Sequence, residues 1–458
     1  MPATALPSAR RALSVPEIGE RLYGWVEQLY PLHRSLTGDG LRASLELLAA
    51  QIPLTVHEVP TGTPVLDWTV PQEWGIRDAW IETAGGSRVV DLRDSPLHVV
   101  QYSTPVRARM TLAELRPHLH TLPERPDAIP YRTAYYAETW GFCLRQRTLD
   151  RLAEGGDDQV LEVRIDSARF DGALSYGECV LPGETEEEVL LSAHACHPAL
   201  ANDNASALAV AAGLAQAIAA RPRRRYTYRF LFAPGTLGAI TWLARTPEAV
   251  GRLRHGLVLA NLGDGGGFTY KRTRRGTLDE PLPIDRAVAV ALREEGVDVR
   301  PFDPSGYDER QFNSPGFDLP VGRLTRAPHG EYPAYHTSDD DLSLVTPEAL
   351  AGSLRALLRV VDVLEGDAVY RSAAPFGEPQ LGRRGLFRAV GGDAATPEAQ
   401  QALLWVLNLA DGRHSLLDVA ERSGLPFAAV RDAADRLQDA ELLVSATGCG
   451  ACTRCACL

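Results

Sequence analysis

The chain has 458 residues, 45% of them hydrophobic and 23% charged, which suffices for two or three soluble domains with a sizeable core. A net charge of −12 argues against bulk binding to nucleic acid or an anionic membrane. No apolar run approaches spanning length, residues 1–20 hold no apolar core of the signal-peptide kind, and Cys143, Cys179 and Cys196 are scattered as reduced thiols usually are; a cytoplasmic protein is the expectation.

In chain order, Leu22, Trp25 and Leu29, then Leu41, Leu45 and Leu48, recur at helical spacing and predict two helices within 16–52. His33 and Arg34 lie between them, where they can cap the first helix against its dipole. After a strand at 54–59 come short β-rich pieces broken by Pro and Gly, at 66–70, 79–82, 88–91 and 97–103, which predict a small β sandwich or barrel over 64–125. Aromatic residues cluster at 131–142 and read as packing. From 158 to 368 strands alternate with helices: strands at 160–165, 189–193, 226–233 and 256–262, and helices at 206–220 and 240–244. That order predicts a mixed or parallel sheet covered by helices. The basic run Arg221–Arg225 lacks interleaved aromatics and reads as a solvated turn.

Residues 375–392 read as a linker. Helices near 396–407, 417–423 and 428–440, with a short strand at 441–445, form a winged-helix pattern. Nine acids (Asp393, Glu398, Asp411, Asp418, Glu421, Asp432, Asp435, Asp439, Glu441) face four arginines (Arg413, Arg422, Arg431, Arg436) over 393–446, a balance that phosphate would repel. Intramolecular packing or homo-oligomerisation is therefore expected of this domain, not DNA binding. Cys449, Cys452, Cys455 and Cys457 have the spacing of a zinc or iron–sulfur site, but no apolar residues flank them; a thiol-rich tail over 447–458 is the expectation.

The chemistry concentrates in Glu188-Val-Leu-Leu-Ser-Ala-His194-Ala-Cys196-His197-Pro-Ala-Leu-Ala-Asn202-Asp203-Asn204-Ala-Ser206. An apolar strand ends in two histidines and an Asn-Asp-Asn turn, just where open α/β sheets place ligands. Neutral imidazole and carboxylate together suit zinc. Either His194 or His197 can be the first ligand, and Cys196 between them is a poor orienting partner. Asp264 follows another apolar strand at a glycine-rich turn, where it is a ligand or the acceptor of an Asx turn. The run Gly306-Tyr307-Asp308-Glu309-Arg310-Gln311 reads as a pocket-lining loop.

The His-Ala-Cys-His-Pro and Asn-Asp-Asn-Ala-Ser run, with Tyr335-His336-Thr337-Ser338 downstream, resembles the metal loops of the zinc aminopeptidase superfamily, and more closely its bacterial aminopeptidase-like branch. The likeness extends from about Tyr23 to Ala446. It implies an α/β aminopeptidase-like domain over 1–63 and 126–372, the β domain of 64–125 inserted into it, and a winged helix over 373–446. It also implies zinc, one or two ions, held by Asp203 and His336 with His194 or His197 and Asp264. Substrate contacts at Arg34, Tyr307, Arg310 and Tyr335 follow, with a small peptide or amino-acyl compound as partner.

One departure from the superfamily concerns the general base. A carboxylate is expected directly after the strand at 226–233, but the turn reads Ala233-Pro234-Gly235-Thr236. Glu309 or Asp308 then has to serve as the base. The expected function is a zinc-dependent amide or peptide hydrolase of aminopeptidase type. Its alternative is a metal-containing binding protein that has lost catalysis at Gly235, and a DNA-binding regulator comes after both.

Overall fold

The computed structural model describes residues 14–386 and 397–446. The expected Cys-rich tail, part of the linker and the extreme N-terminus lie outside the described residues. Among the described residues no helix is long and apolar enough to cross a membrane. The chain divides into two compact units, one of residues up to 275 with 300–355, the other of 276–299 with residues from 356 onward.

The first unit is built on a mixed sheet. Strand Glu188–His194 is buried at all seven positions and pairs in parallel with Thr227–Ala233 on one side and Leu253–Leu259 on the other. Such two-sided burial is why its sequence is a continuous apolar run and not an alternating one. Its one charge, Glu188, is held by Arg229 (2.6 Å) and Arg252 (2.9 Å). Val321–Thr325 adds a further parallel strand, and Thr269–Lys271 lies antiparallel beyond it. At the other edge Ala173–Leu181 and Thr55–Pro60 are antiparallel. The strand at 173–181 was not anticipated: it is buried at most positions and lacks the alternation that marks a half-exposed strand.

Helix Ala207–Ala219 packs against these strands and against helix Val15–Leu29. Small residues permit the close approach: a Cβ on Gly213 would stand 2.8 Å from Leu22 Cδ2. The first helix starts at a capping box of Ser14 and Glu17, and Asp39–Ala49 forms the second.

A separate four-stranded antiparallel sheet takes Glu73–Thr83, Arg88–Asp91 and Val106–Thr111, together with Val160–Phe170. Its own apolar core includes Ala79, Ile81, Leu112, Leu161, Val163 and Ile165. The strand beginning at Val160, expected in the main sheet, thus belongs here. Residues 97–103, expected as a strand, open instead as a short 3-10 turn at Pro96–His98, because the Ser95 hydroxyl caps the Leu97 amide at 3.2 Å.

In the second unit, helices Pro397–Leu409, Leu416–Ser423 and Phe427–Asp439 accompany a three-stranded sheet of Asp411–Ser415, Val369–Ser372 and Leu443–Ser445. This is a winged helix, extended by helix Pro283–Ala291. Arg286 on that helix bonds to Asp418 (2.6 Å) and Glu421 (2.5 Å), which absorbs part of the acidic excess read from the sequence.

Candidate metal centre

The strand Glu188–His194 delivers His194 to the carboxyl edge of the sheet. There its Nε2 lies 2.8 Å from Asp203 Oδ1. The other oxygen of Asp203 is 3.1 Å from His336 Nε2, and His197 Nδ1 stands 3.8 Å from Oδ1. One carboxylate therefore collects three imidazoles. Asp203 is fully buried; burial alone would raise its pKa, but the charges of His197 and His194 and the bonds from His194 and His336 hold it well below the usual carboxylate range. His197 moves the other way, burial keeping it neutral, and its buried Nδ1 has no hydrogen-bond partner.

Aromatic rings hold the imidazoles in place. Tyr307 stacks on His194 with centroids 5.1 Å apart, and Tyr335 stacks on His336 at 3.9 Å. Tyr131 meets both His197 and His336 edge-on at 5.1 Å. The Tyr307 hydroxyl accepts from Asn261 Nδ2 at 2.7 Å. Beside His336 a cavity of about 460 Å3 opens between Tyr131, Arg132 and Tyr335.

The Asn-Asp-Asn turn is pinned from below. Asp340 accepts the backbone N–H groups of Asn202 (2.5 Å) and Asp203 (3.0 Å), and a bond from the Tyr332 hydroxyl (3.1 Å). Burial pushes Asp340 up to about 7. Asn204 ties the turn to two strands: Nδ2 donates to the carbonyls of His194 and Leu259, and Oδ1 accepts from the Asn261 amide, each at 3.2 Å. Sequence reasoning passed over Tyr131, Asp340, Asn204 and Asn261. Tyr131 fell in the aromatic cluster read as packing, and Asn204 stood in the Asn-Asp-Asn turn without a role of its own.

Not all the expected residues meet. Asp264 stands apart from the His194, His197 and Asp203 group. Its Oδ1 accepts from the Gly266 amide at 2.7 Å, and Oδ2 accepts from Asn202 Nδ2 (2.8 Å) and the Ala327 amide (3.3 Å). This is the Asx-turn outcome, with the carboxylate consumed by amides. Glu309 is held at one oxygen: Lys271 (2.7 Å) and Arg323 (3.2 Å) both pair with its Oε1 in a fully buried ion cluster, while its Oε2 has no hydrogen-bond partner. Arg310 is exposed, while Arg34 is 1% exposed.

Asp308, unlike its neighbour, has no ion pair among the described residues. It is buried, its Oδ1 has no hydrogen-bond partner, and that oxygen lies 3.4 Å from where a Cβ on Gly235 would stand. The same hypothetical Cβ would be 3.2 Å from His194 Cβ. The loop at 306–309 thus brings a carboxylate into the space that the glycine leaves. Burial pushes Asp308 up to about 7, with His194 pulling it down. Cys196 is pushed up to about 12 by burial and donates weakly to the Gly235 carbonyl at 3.6 Å.

The donor set fits a zinc-type ion. His194, His197 and Asp203 offer ligand atoms within 4.8 Å of one another, and ligands on one zinc, bonded at about 2.0–2.2 Å, stand at comparable separations. Ionised Asp203 and neutral His197 are in the protonation states that metal binding requires. The partnerless Nδ1 of His197 has no other use in the structure.

Comparison with known proteins gives a consistent picture. Residues 23–367 match the family model described as a domain of unknown function (DUF4910), and residues 368–445 match a winged helix-turn-helix model. A Clostridium acetobutylicum protein, described provisionally as a polysaccharide biosynthesis protein with an aminopeptidase-like domain, is 45% identical over 93% of this chain and 96% of its own length. A crystal structure from the same organism, described provisionally as a peptidase, superposes with a TM-score of 0.88 at 43% identity, covering 94% of this chain and 97% of that one. The zinc aminopeptidase of Bacillus subtilis shares the fold at a TM-score of 0.55 and 14% identity, over 75% of this chain and 94% of its own. The chain belongs to the DUF4910 family, with an aminopeptidase-like fold and a C-terminal winged helix.

Proposed function

We propose that this member of the DUF4910 family is a zinc-dependent amide hydrolase of aminopeptidase type, acting on a small peptide or amino-acyl compound. The observation that carries the reading is the buried Asp203 carboxylate held between His194 and His336, with the unpartnered nitrogen of His197 beside it. His194, His197, Asp203 and His336 would hold the ion. When bound, zinc supplies Lewis acidity toward a scissile carbonyl and lowers the pKa of water. The remaining roles belong to the chain. Asp308 takes the proton of the attacking water at its free Oδ1. Tyr307, Tyr335 and Tyr131 fix the imidazole planes and exclude bulk water from one side of the cluster. Asp340 holds the Asn202–Asp203 backbone, so that the Asp203 carboxylate stays aimed at the histidines.

A second reading, a metal-containing binding protein without turnover, draws on Gly235 and Thr236, which place no carboxylate at the end of their strand. Zinc analysis of the purified chain with a screen of amino-acyl substrates separates the two. Bound zinc with turnover that Asp308→Asn abolishes supports the hydrolase. Bound zinc without turnover supports the binding protein, and no zinc removes both. For the winged helix we propose packing or self-association in place of DNA binding, in keeping with its acidic balance.

A further inference from the structure

Arg34 is a buried cation that no carboxylate answers. It sits in the loop after helix Val15–Leu29, and among the described residues it makes no ion pair. Its Nη1 donates to the Leu29 carbonyl, while its buried Nη2 has no partner. Burial draws its pKa down to about 10; the charged forms it feels are those of Cys196, Tyr131 and Asp203. None of the three pairs with it. Burial keeps the Cys196 thiol and the Tyr131 phenol protonated at neutral pH, and Asp203 is taken by His194 and His336.

The surroundings of Arg34 are unfinished in the same way. Ser35 Oγ, next along the chain, is buried without a partner, and so is Gln101 Oε1. The amide nitrogen of that glutamine is 2.8 Å from His33 Nε2, the residue preceding Arg34. Burial draws His33 down to about 4, so it brings no second charge. Buried polar groups in a finished interior are paired, and a buried unpaired charge is more costly still. Arg34 Nη2 is thus a buried cationic donor without an acceptor, within electrostatic reach of Cys196, Tyr131 and Asp203 at the candidate metal centre.

We infer that Arg34 receives a carboxylate of the substrate, so that the chain acts on peptides or amino-acyl compounds bearing a free carboxylate and discriminates against their neutral amides. The inference rests on the hydrolase reading for the reaction but not for the binding. Nη2 supplies the N–H donor, and a charged pair formed out of water is both strong and selective. A neutral amide presented to the same site leaves the cation unpaired, and sites of this kind reject such analogues by about 10²-fold or more.

The test uses the full zinc-loaded chain with dipeptides and the same dipeptides amidated at the C-terminus, compared by kcat/KM and by calorimetric titration. The native chain is expected to prefer the free acids by about 10²-fold or more. Arg34→Gln should erase the preference through a rise in KM or Kd for the acids, and Arg34→Lys should retain part of it. Melting temperature separates a merely structural arginine: a fall in Arg34→Gln with the preference intact overturns the inference. Equal acceptance of acids and amides by the native chain, or binding of neither, also overturns it. If the acids bind in an Arg34-dependent way but nothing is hydrolysed, the hydrolase reading falls and this one stands. If both series are hydrolysed equally, the reverse holds. Should Arg34→Gln not fold, the ratio in Arg34→Lys against the native chain decides: a preference reduced but not lost sustains the inference, and an unchanged ratio or a native ratio near one ends it.

Discussion

The two units treat buried polarity in opposite ways. Among the described residues, every buried side-chain nitrogen or oxygen without a partner falls in the first unit, including Arg34 Nη2, His197 Nδ1 and Asp308 Oδ1. The winged-helix unit closes its accounts locally. Ser415 and Asp418 form a capping box, Arg286 meets Asp418 and Glu421, and Arg431 pairs with Asp435 four residues on. Unsatisfied groups cost stability, so a fold tolerates them where a ligand will complete them. The contrast separates a unit whose buried side-chain polar atoms are all paired among the described residues from one that leaves some open, at the candidate centre and elsewhere in its core.

The sharpest way to break that contrast is to remove the ligand set. Asp203→Ala and His336→Ala are each expected to reduce zinc content to background by elemental analysis, with the circular dichroism of the native fold kept. Full occupancy in either variant would dissolve the site. Next comes the pair Asp308 and Glu309, neighbours in sequence with opposite surroundings. Asp308→Asn should lower turnover by about 10²–10⁴-fold with zinc retained, the span that general-base catalysis contributes. Glu309→Gln should instead destabilise the fold by about 3–5 kcal/mol, because Lys271 and Arg323 lose their shared counter-charge. Urea unfolding with parallel kinetics distinguishes them, and reversed effects would exchange the two assignments.

Gly235→Glu sharpens the comparison further. In the sequence alone a glutamate there looks like a restored base. In the structure its Cβ would already press on His194 Cβ at 3.2 Å and approach Asp308 Oδ1 at 3.4 Å. Turnover is therefore expected to fall, and a gain would show that the space is free. In the winged helix the effects should be small. Arg286→Ala removes partly exposed ion pairs and should cost about 0.2–1 kcal/mol by urea unfolding. Smallest is Asp411, whose pKa is lowered to about 2 by bonds from the Arg413 and His414 amides and by His414. A depressed carboxyl pKa contributes stability that is present above the unfolded value and lost as pH falls through the folded one. The melting difference between native and Asp411→Asn chains should thus fade between about pH 4 and pH 2; a difference unchanged across that window would deny the Asp411 bonds any role.

Much of this was legible before the structure. The strand-end His194, the Asn-Asp-Asn turn and the His336 motif are local patterns, and the structure brings them together around Asp203. Helix Val15–Leu29 and the helices of the winged unit announce themselves by periodicity and capping residues. Asp264 stayed open between ligand and Asx-turn acceptor because a glycine-rich turn after a strand looks the same whether its carboxylate faces a metal or the turn's own amides. The choice between Glu309 and Asp308 stayed open because the ion partners of Glu309, Lys271 and Arg323, lie on two other strands.

The sequence by itself determined the order of elements, the class of sheet and the residue types gathered at its carboxyl edge, since these follow from periodicities of two and 3.6 residues and from turn chemistry within a few positions. Only the tertiary structure decided which carboxylate does what. Asp340 supports a turn 137 residues away, Asp308 approaches the space left by Gly235, and Arg34 is buried without a counter-ion among the described residues. The physical reason is that charge and hydrogen bonding at a buried site are set by neighbours in space, and those neighbours come from segments that share no local pattern.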